Sequence, residues 1–129
     1  MLPLKEATSE KHKIAERMPF NVKMFRGQLS KEEYGLYLVQ QLELFRTIEA
    51  KGTPHSSLNR VSAIDKDLAE LPLSDHALLP STRHYVEYLN KLDYDGTLPH
   101  IYLHYLAIMF GGQIMKKSVP STGHMYDFD

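Results

Sequence analysis

The chain has no cysteine, and that absence removes disulfides, thiolate metal sites and cysteine nucleophiles together. It also fits a reducing compartment, so the cytoplasm is the expected location. An excess of charge of one sign is missing too: 15 lysines and arginines stand against 16 aspartates and glutamates, a net charge of -1. With no basic stripe to track a phosphate backbone, nucleic acid is excluded as an expected partner. No apolar run reaches the roughly 18 residues of a membrane span. The opening Met1-Leu2-Pro3-Leu4-Lys5-Glu6 turns charged too early for a secretion signal, so a soluble protein with no membrane partner is expected. Strand signals are nearly absent, and there is neither an internal repeat nor a low-complexity tract.

What is present is helical periodicity over 129 residues, enough for a single all-α domain. A first helix is expected from about Pro3 to Met18, with Leu4, Ala7, Ile14, Ala15 and Met18 as its apolar stripe and Lys5, Thr8, His12 and Glu16 together beside it. Pro19 interrupts it, and a short segment near Val22 to Arg26 leads to Gly27. Ser30-Lys31-Glu32-Glu33 then reads as a capping box for a long core helix to about Ala50. Its buried face would be Tyr34, Leu38, Leu42, Phe45 and Ile48, with Lys31, Glu32, Gln40 and Glu43 wet. Leu58 to Leu71 suggests a third helix, Pro80 opens a fourth carrying Tyr85, Val86, Leu89 and Leu92, and Thr97 with Pro99 starts the last. The charge runs Asp65-Lys66-Asp67 and Lys116-Lys117 read as solvated faces.

The last helix is apolar on more than one side and carries Gly111-Gly112 in its interior, each glycine costing about 1 kcal/mol relative to alanine. Close helix contact, a kink, or a flat ligand against bare backbone would each repay that cost. On the first helix, Glu16 lies one turn beyond His12, where a carboxylate orients an imidazole and raises its basicity as a metal ligand requires. Lys5, two turns earlier, is placed to meet an anionic group.

The run Leu4-Lys5-Glu6-Ala7-Thr8-Ser9-Glu10-Lys11-His12-Lys13-Ile14-Ala15-Glu16 resembles the proximal helix of the heme oxygenases, whose histidine binds the heme iron. Tyr102-Leu103-His104-Tyr105-Leu106 with Gly111-Gly112-Gln113-Ile114-Met115-Lys116-Lys117 resembles their glycine-rich distal helix, and Met24-Phe25-Arg26-Gly27-Gln28-Leu29 also falls where the family has a matching element. The resemblance implies a helical bundle with heme sandwiched between proximal and distal helices. His12 would be the iron ligand and Glu16 its partner; Thr8 would line the proximal side. Lys5 and Tyr102 would lie near the propionates, and Gly111 and Gly112 against the distal face, steering oxygen toward one meso carbon. The implied reaction converts heme to biliverdin, carbon monoxide and iron. Heme is both substrate and cofactor, and molecular oxygen and an external reductase or ferredoxin complete the chemistry.

Two departures accompany the resemblance. Many family members place an aspartate in Gly-Asp-x-x-Gly-Gly to organise distal water, whereas this chain has Ala107-Ile108-Met109-Phe110-Gly111-Gly112, leaving His104, His100 or a backbone carbonyl as substitutes. The family fold also continues past this chain's last residues, which implies a fragment, a shortened form, or a homo-oligomer that completes the fold. A heme-binding relative without turnover is the first rival. A di-iron helical oxidase using the pair His100 and His104 is the second, although paired Glu-x-x-His elements are missing. A scaffold for protein contact alone is the third.

Overall fold

The computed structural model describes residues 7–72 and 76–128, with the side chains of His12 and Glu16 outside that description. Among the described residues the regular structure is all helical: α1 Ser9–Glu16, α2 Pro19–Phe25, α3 Lys31–Lys51, α4 Val61–Ala69, α5 Pro80–Asn90 and α6 Tyr94–Lys116, with 3-10 turns at Ser56–Leu58 and His124–Tyr126. None of these helices is long and apolar enough to cross a membrane.

Helix α3 organises the rest because its start is chemically fixed and one side of it is apolar. Ser30 Oγ accepts from the Glu33 N–H at 3.0 Å while Glu33 Oε1 accepts from the Ser30 N–H at 3.0 Å, the expected capping box. Tyr34, Leu38, Phe45 and Ile48 are at most 1% exposed, and α3 packs against α4, α5 and α6. Lys51 ends it and donates its ammonium to the carbonyls of Leu92, at 2.6 Å, and Asn90, at 3.2 Å, tying α3 to the end of α5.

Several expectations change here. Gln40 is buried, not wet: its amide donates to the Ala77 carbonyl at 3.0 Å and accepts from the Leu79 N–H at 2.9 Å, satisfying backbone that has no helical partner. The first helix ends at Glu16, Met18 is extended, and a separate α2 starts at Pro19. The expected third helix divides into the turn Ser56–Leu58 and α4 from Val61. The last helix begins at Tyr94, earlier than Thr97, because Asp93 caps it by accepting the Gly96 N–H at 2.8 Å.

The largest correction concerns the Asp65-Lys66-Asp67 run. Asp65 and Lys66 are exposed, but Asp67 is fully buried, and its two oxygens accept the N–H groups of His124 and Met125, each at 2.8 Å. Arg60, also buried, donates to the carbonyls of Ser57, Leu58, Asn59 and Asp127 and lies over the Phe128 ring. The turn His124–Tyr126 is thereby held on α4 and packs against α6. A buried carboxylate and a buried guanidinium are tolerated because backbone partners replace the lost water.

Candidate functional site

Helix α6 has an inner face and an outer one. Ile101, Tyr105, Gly112 and Met115 are buried, with Tyr105 meeting Phe45 edge-on at 4.8 Å and donating its hydroxyl to Glu49 at 2.9 Å. On the opposite side Leu103, Phe110 and Ile114 are 60%, 78% and 68% exposed, and Tyr102 is exposed beside them. Successive steps of four, three and four residues through Ala107 place Leu103, Phe110 and Ile114 in one stripe. An apolar stripe turned outward on a helix already packed on its other side is a surface that needs a partner.

The two glycines play different parts. A Cβ on Gly111 would meet nothing within 4 Å, so its backbone lies open on the accessible side of α6. A Cβ on Gly112 would lie 2.6 Å from Cδ1 of Tyr126, so this glycine lets the C-terminal turn approach the helix. Of the alternatives left open by the sequence, close packing accounts for Gly112, and open backbone remains for Gly111.

Helix α1 and the residues flanking it supply a second apolar surface. Ile14 and Met18 are each 50% exposed, Ala7 and Ala15 are exposed, and none of the residues described between 7 and 18 belongs to the buried core. Thr8, at the helix start, is exposed. His12 and Glu16 both lie on the α1 backbone, one turn apart. Lys5 lies outside the described residues.

His100 and His104 do not stand as a vacant ligand pair. Tyr85 of α5 brings its hydroxyl to 2.6 Å from His100 Nδ1 and 2.8 Å from His104 Nε2. Burial, with His100 close by, holds the His104 imidazole below its usual range, and burial, with Tyr88 adding, pushes the Tyr85 phenol up. An open hollow of about 670 Å³, lined by Pro80, Ser81, His84, Tyr85 and Tyr88, flanks this contact. One turn beyond His104, Ile108 is half-buried against the core.

Among the described residues, Asp67, Glu70 and His124 gather their donor atoms within 4.8 Å of one another. These atoms are already engaged: Asp67 takes two backbone N–H groups, and Glu70 takes the Thr122 N–H at 2.7 Å, its hydroxyl at 2.9 Å and His124 Nε2 at 3.2 Å. The group braces the C-terminal turn and supplies no di-iron set. Sequence reasoning missed this brace and the Tyr85 contact because their partners come from distant parts of the chain; only the histidine spacing hinted at the second.

The fold defines a class of helical bundles shared with two solved heme oxygenase structures. That of Leptospira interrogans superposes with a TM-score of 0.82 at 27% identity, covering 97% of this chain and 74% of the other. Heme oxygenase-1 from the cyanobacterium Synechocystis, solved in complex with heme, gives 0.80 at 24% identity over 97% and 68%, a likeness of fold. The family model for heme oxygenase matches residues 2–127, and the chain belongs to the heme oxygenase family. Heme oxygenase 1 of rat is 31% identical over 93% of this chain and 50% of its own length, and that of chicken is 31% identical over 93% and 49%. The chain thus spans about half the length of these curated relatives.

Proposed function

We propose that this chain binds heme against α1 and α6 and oxidises it to biliverdin, carbon monoxide and iron in the cytoplasm. The observation that carries the reading is the outward side of α6, where a glycine with no neighbour within 4 Å of its Cβ position adjoins exposed Leu103, Phe110 and Ile114. A flat apolar macrocycle fits such a surface, since bare backbone allows close approach and apolar side chains are removed from water. Exposed Ile14 on α1 and Met18 just past its end offer the same chemistry from a second segment.

In this reading His12 holds the iron as a neutral imidazole and Glu16 fixes its orientation. Lys5 and Tyr102 meet the propionates, and Thr8 lines the proximal side. Gly111 excludes little volume on the distal side, and Gly112 keeps the helix seated on Tyr126. Heme supplies oxygen activation, and an external reductase or ferredoxin supplies electrons. The protein's part is to orient the ring and limit what reaches its distal face.

A second reading, heme binding without turnover, is favoured by Ile108, an apolar side chain packed toward the core where many relatives carry an aspartate. One experiment separates the two: load the chain with hemin, add a reductant under air, and follow absorbance. The proposal expects loss of the heme band and growth of a biliverdin-like band. A stable heme complex that never turns over supports the second reading, and absence of binding overturns both.

A further inference from the structure

We propose that Tyr85, His100 and His104 form a proton-carrying chain that leads from the open hollow beside α5 to the distal side of α6, in place of an acidic residue at position 108. The inference rests on the heme-oxidising reading and extends it to the delivery of protons.

The geometry is that of a relay. One phenolic oxygen lies 2.6 Å from His100 Nδ1 and 2.8 Å from His104 Nε2, so it can accept a proton from one ring while donating its own to the other. When His100 Nε2 takes a proton from water, the His100 Nδ1 proton passes to the Tyr85 oxygen. In the same concerted step the Tyr85 hydroxyl proton passes to His104 Nε2, so that no protonated phenol forms, and the His104 Nδ1 proton leaves to an acceptor on the distal side. One proton enters and one departs, no net charge is retained, and each ring ends in its other tautomer.

The position suits the task. His100, His104, Ala107 and Gly111 follow at steps of four, three and four, so they share one side of α6, with Ile108 at its edge. His104 lies one turn before Ala107, at the end of the relay nearer Gly111. Tyr85 and the edge-on neighbour of His100, Tyr88, both line the open hollow, which admits water. Among the described residues, the titratable groups beside the relay are Tyr88, edge-on to His100, and His84, which shares the lining of the hollow; from α3 the apolar Phe45 ring meets His104 edge-on at 6.4 Å. Burial and His100 favour a neutral His104, which can pass a proton on and does not trap it.

The test compares wild type with Tyr85→Phe, which keeps the ring packing, and with His104→Gln. Hemin absorbance first establishes that each variant binds heme as wild type does. Turnover in Tyr85→Phe is then expected to fall tenfold or more, with a larger solvent deuterium isotope effect and a changed pH profile. Tyr85→Phe and His104→Gln both turning over at the wild-type rate, with an unchanged pH profile, overturn the relay. The heme-free chain gives an independent readout by ¹⁵N NMR: Tyr85→Phe should move the His100 Nδ1 and His104 Nε2 resonances together, because one hydroxyl bonds both. Resonances that Tyr85→Phe leaves unmoved overturn the relay whatever the turnover. Both resonances moving, in a wild type that binds heme without turnover, keeps the proton chain and overturns the enzymatic reading.

Discussion

At the scale of single residues, the glycine pair separates folding from function. Gly111→Ala adds a methyl group into open space and removes a glycine from a helix interior, so the heme-free chain should gain about 0.5–1 kcal/mol, read by urea denaturation. The same change should weaken hemin binding, because the methyl group intrudes where the ring is proposed to lie. Gly112→Ala drives a methyl group into the Tyr126 ring and should cost about 1–3 kcal/mol in the same denaturation measurement. The sequence shows two equivalent glycines; what distinguishes them is a tyrosine 14 residues further on that the turn folds back. Asp67 is the parallel case. Its charged, helical context reads as surface, yet it holds two backbone N–H groups, and Asp67→Ala should cost about 3 kcal/mol or more, measured by urea midpoint.

At the scale of elements, legibility follows the range of the interactions. The start of α3 was readable because both partners of its capping box lie within four residues, and its buried stripe because it repeats with the helical turn. Gln40 was misread because the groups it satisfies lie near residue 78, and the start of α6 because Asp93 competes with Thr97 and Pro99 as a boundary signal. The attachment of the C-terminal turn to α4 carries a pH signature. Glu70 is held below the usual carboxyl range by the Thr122 N–H first, then by its hydroxyl, with His124 adding. Its stabilising contribution is therefore complete above the unfolded carboxyl value of roughly 4.3 and is lost as pH falls through the lower folded value. Glu70→Gln should flatten the decline of the urea midpoint over that acid window; an unchanged decline would show that Glu70 does not contribute to it.

At the scale of the whole molecule, the core is built by α3 with α4, α5, α6 and the C-terminal turn, while α1 and the outer side of α6 present apolar side chains to solvent. Family membership was legible from the two motifs, since each is contiguous in the chain. The roles of Lys5, Thr8, His12, Glu16, Tyr102 and Gly111 remain proposals that converge on one claim, that His12 ligates heme iron. The most direct measurement is a hemin titration followed by absorbance, with wild type and His12→Ala side by side. The account predicts saturable binding with a histidine-ligated spectrum in wild type and loss of that spectrum in the variant. Identical spectra and affinities in the two proteins would contradict it.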